Sequence, residues 1–449
     1  MESFDYDLIV IGAGSGGTRA ARISAGYGAK TAVVEVDRPG GTCVLRGCVP
    51  KKLLIYGSEF SKNVEDAIGY SWEVGDIKPN WFDLIAKKNK ELDRLHEIYK
   101  NLIINSGCDL HYGYGKLISK NKVLVIYNNK EKVISAKKIM IAVGGKSNFP
   151  NFAGNEFMIN SDKALDLEKL PKSIIIYGSG YIAVEFAGIF SGFGVDTSLV
   201  FRSEYVLRGF DIDIRKRLTE QMKASGIRIF PNNTIECINE IGNKYLIKIS
   251  NNETLESDLV MGATGRNPNT KDLGLEAIGL KLGKNGEILV NNYNQSNVSS
   301  IYAIGDVTNK INLTPVAIAE GHAFADREFG GIDRFISYED VPCAVFSQPP
   351  VSIVGISKNS ALEKGIKVTE YISEFNPLKN TITGKVEKTL MKLIVDQNNK
   401  VIGAHMLGEH APEIIQGIAI AIKAGATKDN FDETIGIHPT AAEEFVTMK

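Results

Sequence analysis

The sequence predicts an α/β protein with two Rossmann-like dinucleotide-binding domains followed by a C-terminal α+β domain. Two glycine turns carry the first half of that expectation, each set between an apolar strand and a helix: Gly12 to Gly17 (GAGSGG) after Tyr6 to Ile11, and Gly178 to Ala183 (GSGYIA) after Ser173 to Tyr177. The third observation is a change of texture from about Ser337, where β-branched runs such as Val351 to Val354 and Leu390 to Val395 are joined by a helical run from Ala411 to Ala424.

Composition narrows the field. A chain of 449 residues with 43% hydrophobic content is long enough for about two to four packed domains. The 52 basic and 53 acidic residues nearly cancel, so the whole chain presents no electrostatic footprint for nucleic acid or an anionic membrane. Met1 leads directly into the first strand without a basic leader, and no apolar run reaches the length of a membrane span, so a cytoplasmic location is expected. Five scattered cysteines are too few for a secreted disulfide scaffold, and in a reducing compartment a disulfide is usually catalytic or redox sensing.

In the first glycine turn, Gly12 permits the tight bend, Gly14 lets backbone approach a pyrophosphate, and Gly17 allows close packing of the helix that runs to Gly26. Glu35 ends the next strand about twenty residues on, where a carboxylate can accept the hydroxyls of an adenosine ribose. A dinucleotide is expected here. Next comes Gly40 to Lys52 (GGTCVLRGCVPKK), which sets Cys43 and Cys48 five positions apart before a helix expected over Lys51 to Phe60. One turn of helix brings such sulfurs toward bridging range, and a helix start with Lys51 and Lys52 nearby favours a thiolate. A local structural disulfide or two buried thiols remain the alternatives for that spacing alone.

Residues 53 to 112 read as mainly helical, residues 122 to 135 as an antiparallel hairpin, and Lys138 to Val143 as a separate strand ending in Gly144 and Gly145. In the second turn alanine replaces the third glycine, and the strand that follows ends not in an acid but in Arg202, with Arg208 close behind. Two guanidiniums suit a 2′-phosphate, so this module is expected to prefer NADPH over NADH. Two dinucleotide sites beside a cysteine pair imply electrons passing between two carriers. Further on, Ile301 to Asp306 reads as a strand that presents Asp306 to a flavin hydroxyl, and Pro439 as the start of a helix after His438, with His438 and Glu443 as base and orienter. Cys108, Cys237 and Cys343 have no partner at useful spacing and read as buried small hydrophobes.

The order of these motifs, with Ala263 to Asn269, Ala303 to Asp306 and His438 to Glu443, resembles the flavoprotein disulfide reductases along nearly the whole chain. Within them it is most similar to the glutathione reductases. The wording from Cys43 to Lys52, with Phe375 to Ile382 and Glu387 to Lys392, is similar to their plant and cyanobacterial branch. The resemblance implies FAD and NADPH as cofactors, glutathione disulfide as substrate, and a homodimer with a shared active site. Expected domains are 1–149 with 271–336 for FAD and the centre, 150–270 for NADPH, and 337–449 for the interface.

By the same resemblance, Cys48 is the thiol at the flavin, Cys43 exchanges with glutathione, Lys51 pairs with Glu185 near the flavin, and Tyr181 covers the nicotinamide pocket. FAD positions fall on Ser15, Gly16, Glu35, Thr42, Gly115, Asp306 and Thr314. NADPH positions fall on Ser179, Ile182, Glu185, Arg202, Arg208 and Gly265, beside Gly178 and Gly180 of the turn. His438 and Glu443 match an acid/base pair given by the partner subunit. Arg22 and Tyr99 match glutathione contacts, with Arg19 adding charge. His322 stands where animal and enterobacterial members carry arginine, which leaves room for a modified glutathione. The other readings are reduction of another small disulfide and a dihydrolipoyl dehydrogenase, with a non-catalytic flavin redox sensor opposed by the complete Cys, Lys, Glu and His set.

Overall fold

The computed structural model describes residues 3–449, in two compact units: residues 3–51, 82–148 and 265–337 form the first, and residues 52–81, 149–264 and 338–449 the second.

The first unit is organised by a seven-stranded sheet. Its parallel part runs Asp109–Tyr112, Thr31–Glu35, Tyr6–Ile11, Lys130–Ile141, with Ile301–Ala303 beside the last. Tyr6–Ile11 is apolar almost throughout because both faces are covered, as parallel strands require. Ile9 and Ile11 enter the core on one side, Leu8 and Val10 the core on the other.

Lys130–Ile141 is one strand, where the sequence suggested a hairpin arm and a separate strand. Residues 130 to 135 pair antiparallel with Lys122–Tyr127, and residues from Ala136 on pair parallel with Tyr6–Ile11. The change of neighbour explains the change of pattern from exposed to buried along its length. Tyr114–Ser119, not anticipated from the sequence, adds a third antiparallel strand.

The second unit holds a parallel four-stranded sheet, ordered Arg228–Phe230, Asp196–Val200, Ser173–Tyr177, Leu259–Gly262, and a three-stranded antiparallel sheet. It also holds an antiparallel five-stranded sheet from Cys343–Val345 to Val401–Leu407, against which Ala411–Lys423 packs its apolar face. The expected class, two Rossmann-like modules and an α+β C-terminal part, is the observed one.

A buried ion cluster lies between the parallel module and the five-stranded sheet of this unit. Lys392, 1% exposed in the middle of Thr389–Asp396, donates to Asp211 at 2.9 Å and Asp213 at 2.6 Å and pairs with Glu370. Asp211 also caps the helix Ile212–Ala224 by accepting from the Asp213 and Ile214 N–H groups. Burial pushes Glu370 up, but hydrogen bonds from Lys392 and Lys358 outweigh it and hold the carboxyl below its ordinary range.

Replacing Lys392 with Met leaves buried Asp211 without its cation and Glu370 with Lys358 alone. It should cost about 3–5 kcal/mol at neutral pH, read as a lowered melting temperature. A folded pKa below the unfolded one means the wild type holds the Glu370 contribution above about pH 4.3 and loses it as pH falls. The gap between wild type and variant should therefore narrow in acid. An unchanged melting temperature at pH 7 would show that the cluster does not hold the unit together.

Candidate functional site

The first glycine turn is fixed by contacts that no side chain survives. Gly12 has φ +104, and a Cβ there would lie 2.5 Å from the Ala142 carbonyl oxygen. A Cβ on Gly17 would lie 2.0 Å from the Gly12 carbonyl oxygen, so Gly17 is constrained by the turn itself. Gly16 makes a further close approach: a Cβ there would meet the Ala317 carbonyl oxygen at 2.9 Å.

Gly14 precedes the helix Ser15–Gly26 without a side-chain cap, and the Ser15 hydroxyl is buried with no hydrogen-bond partner. A helix start with uncapped N–H groups and an orphaned buried hydroxyl fits a dinucleotide pyrophosphate. Glu35 accepts from Ala13 N–H at 2.7 Å and Asp37 N–H at 2.9 Å, with burial pushing its carboxyl up; the remaining lone pairs suit ribose hydroxyls. Gly115 is buried, and a Cβ there would come within 3.1 Å of Ile11 and Val34 side chains. Asp306 is likewise pushed up by burial, against the opposing charge of Arg266.

The cysteine segment is seated directly on this turn. Gly40 N–H donates to the Ala13 carbonyl at 2.9 Å, and Gly41, at φ +63, would place a Cβ 2.5 Å from the Gly14 Cα. The chain then forms Gly41–Leu45, which carries Thr42 and Cys43, breaks at Arg46 and Gly47, and restarts as Cys48–Gly69. The two sulfurs thus belong to different helices and not to one continuous turn. Val44 and Leu45 pack with Leu92 and the half-buried Tyr99 of Trp81–Ile104, tying the segment down from its other side.

Cys48 Sγ lies 3.7 Å from the Thr314 hydroxyl at the start of Thr314–Glu328. The Cys43 thiol is pushed well above the ordinary range by its hydrogen bond with Cys48 and then by burial, which outweigh Thr314 and Lys51. Of the pair, Cys43 is thus the thiol that keeps its proton, through its hydrogen bond with the neighbouring sulfur. The Lys52 ammonium lies 4.7 Å from the Tyr56 ring centroid and 3.8 Å from that of Phe346.

The second turn repeats the first in the other unit. Gly178, at φ +143, would place a Cβ 2.2 Å from the Ala263 carbonyl oxygen, whereas around Gly180 there is open space. Ser179 Oγ lies 3.4 Å from Ser203 Oγ. Tyr181 opens the helix Tyr181–Gly192 with its ring exposed, Ile182 is half-buried, and buried Glu185 accepts from Phe346 N–H at 2.9 Å. Arg202 and Arg208 are both exposed after Asp196–Val200, cationic and open to a phosphate. Gly265 belongs to the first unit, where its carbonyl accepts from Asn148 N–H.

Near the C terminus His438 Nδ1 lies 3.1 Å from both Glu443 carboxylate oxygens, and Glu443 also accepts from Thr440 N–H. This fixes the ring and leaves Nε2 outward as a proton acceptor. Pro439 does not begin a helix; Thr440 caps the short turn Ala441–Glu443 that leads into Glu444–Thr447.

On Ser15–Gly26, Arg19 and Arg22 are half-buried, and the Arg22 Nε is buried without a hydrogen-bond partner. His322 Nε2 lies 3.6 Å from buried Asp326, which also binds Tyr27 and Arg334. No local pattern marks Tyr27, Asp326 and Arg334, since they meet only through the fold. Cys108 is buried as expected, its thiol pushed up to about 11. Cys237 and Cys343 are only half-buried, because the strands that carry them are partly open to solvent.

The pyridine nucleotide-disulphide oxidoreductase family model matches residues 6–321, and that family's dimerisation domain matches residues 341–449. The chain belongs to the pyridine nucleotide-disulphide oxidoreductase family. It is 47% identical over 450 residues to a glutathione reductase of Burkholderia cepacia, covering 100% of this chain and 99% of the relative. It is 46% identical over 462 residues to one of Nostoc sp., with 100% of each covered. A trypanothione reductase of Leishmania donovani is 40% identical over 470 residues, 99% of this chain and 95% of that one. For a member of this family, a cysteine pair seated on a dinucleotide turn is a place where electrons from a nucleotide meet a disulfide.

Removing Cys48 removes the group that holds the Cys43 proton. In a Cys48→Ser protein the midpoint pH for alkylation of Cys43 by iodoacetamide should therefore fall relative to the reduced wild type. A midpoint that stays or rises would contradict the assignment of Cys48 as the proton-holding neighbour.

Proposed function

We propose that this chain reduces glutathione disulfide to two molecules of glutathione at the expense of NADPH, in the cytoplasm, and so maintains thiol redox balance. The observation that carries the proposal is the seating of Cys43 and Cys48 on the first glycine turn through Gly41 and Gly14. Its support includes the glutathione reductases of similar length and high identity. Among the described residues no helix is long and apolar enough to cross a membrane.

FAD would be held by Gly12, Gly14, Ser15, Gly16, Gly17 and Glu35, with Thr42, Gly115, Asp306 and Thr314 along the rest of its length. NADPH would be held by Gly178, Ser179, Gly180, Ile182, Glu185, Arg202, Arg208 and Gly265, under Tyr181. When bound, NADPH is the source of an electron pair and FAD the carrier that brings it to the disulfide. Residues 1–149 with 271–336, 150–270 and 337–449 then divide the work into flavin binding, NADPH binding and dimer contact. Lys51 would supply positive charge at the flavin.

The reduced pair does the rest. Cys43 gives up its proton and its sulfur attacks one sulfur of glutathione disulfide; that S–S bond breaks and the first glutathione leaves as a thiolate that takes a proton. Cys48 then attacks Cys43 in the mixed disulfide, the second glutathione leaves, and the Cys43–Cys48 bond re-forms. The two electrons of the dithiol end on the two glutathione sulfurs. Because Cys48 and burial hold the Cys43 proton, the first step needs a base and the departures need an acid. His438, oriented by Glu443, fills both parts from a second copy of the chain, and Arg19, Arg22, Tyr99 and His322 surround the substrate.

Turnover of NADPH with a panel of disulfides tests the proposal: glutathione disulfide should be the best substrate. Faster turnover of lipoamide with NADH would replace it by a dihydrolipoyl dehydrogenase. Replacing Arg202 and Arg208 together should remove two charge-assisted contacts of about 1.5–3 kcal/mol each, lowering the NADPH to NADH preference by roughly two to four orders of magnitude. An unchanged ratio would mean the two arginines do not read the 2′-phosphate. The shared site is checked by refolding Cys43→Ser and His438→Gln chains together. Each is nearly inactive alone, and random mixed dimers should recover roughly a quarter of wild-type activity. Mixed dimers confirmed by mass spectrometry that recover nothing would rule out a site shared between subunits.

A further inference from the structure

The helix Thr314–Glu328 presents Pro315, Ile318, Ala319 and His322 at helical spacing to one side, where they line a cavity of about 570 Å³. The opposite wall is Arg334, Phe335 and Ile336, so the lining is apolar except for His322 and Arg334.

Both polar groups are tethered to one carboxylate. Asp326, 1% exposed, pairs with Arg334 Nη1 at 2.9 Å, accepts from the Tyr27 hydroxyl at 2.8 Å, and lies 3.6 Å from His322 Nε2. The Arg334 side chain is nonetheless 49% exposed, so its fork retains N–H donors for a second acceptor. The wall that carries it is also fixed. Arg327 donates to the carbonyls of Arg334 and Tyr293, and its guanidinium lies over the Tyr293 and Phe335 rings at 5.5 and 5.8 Å.

Length fits as well. Thr314, 3.7 Å from Cys48 Sγ, starts this helix, and His322 lies two turns on, about 12 Å along the axis. From its cysteine sulfur to a terminal carboxylate, an extended tripeptide arm reaches roughly 10 Å. The two lengths are of the same order, and helical side chains lean back toward the N terminus, so an arm reacting at the cysteine pair can run along the apolar face toward the cationic wall.

Resting on the function proposed above, we infer that Arg334 is a specificity-determining residue for the disulfide substrate, binding a carboxylate of one glutathione arm, with Asp326 as the positioning residue for Arg334 and His322. It places a guanidinium at the end of the cavity where His322 alone presents an imidazole.

The test compares glutathione disulfide with its fully methyl-esterified form in the wild type, Arg334→Gln and Arg334→Lys holoenzymes. In Arg334→Gln the KM for the free acid should rise roughly tenfold, as expected for a lost charge-assisted contact, with kcat kept. The KM for the ester should not move. Arg334→Lys keeps the charge but not the fork, and should recover part of the preference for the acid. Equal changes for acid and ester in both variants, or no change in either, would overturn the inference while leaving the proposed function intact. A wild type inactive on glutathione disulfide would instead overturn the function and the inference with it.

Discussion

Two backbones meet at Gly14 and Gly41 with no room for a side chain between them, and the chemistry of the first unit depends on that approach. A Cβ on Gly41 would stand 2.5 Å from the Gly14 Cα, and the φ of +63 is itself one that side-chain-bearing residues rarely adopt. The cysteine segment therefore has no freedom to choose its distance from the dinucleotide turn. Gly40 adds a hydrogen bond to Ala13, and the cluster of Val44, Leu45 and Leu92 closes the other side. A reactive pair held this way keeps its place while its sulfurs change oxidation state.

The same packing sets the electrostatics. Cys43, Glu35 and Asp306 are all pushed toward their neutral forms, with burial a cause in each case, so the first unit favours uncharged groups around its turn. Cys43 adds a second cause, the adjacent sulfur. On the function proposed above, nucleophilicity at Cys43 would not be a standing property of the folded chain but something that a base calls up when a disulfide arrives. On the same proposal that duty falls to His438, whose Nδ1 is held by Glu443.

What the sequence disclosed and what it hid divide along a physical line. Gly12, Gly17 and Gly178 were legible because each answers a constraint written in neighbouring backbone, and Glu35 because strand length and spacing fix where it falls. Lys130–Ile141 was split in the reading because its two halves have different neighbours, and periodicity reports the neighbour and not the strand. Which of the two cysteines keeps its proton was not legible, because counting nearby lysines says nothing of how the two sulfurs meet. Lys392 and Asp326 were invisible, since a charged residue in an apolar run declares its partners only after distant segments meet.

The cluster around Lys392 bears on how the second unit can be taken apart. Its cation comes from the five-stranded sheet, while Asp211 and Asp213 come from the start of a helix in the parallel nucleotide module, 181 and 179 residues away along the chain. A piece of chain ending before residue 337 would keep a helix capped by a buried carboxylate with nothing to neutralise it, and the remaining piece would keep Lys392 with Glu370 as its partner but without either aspartate. Neither module is therefore an independent part that recombination can transplant alone. Exchange with a relative is tolerated only if the lysine and its aspartates travel together.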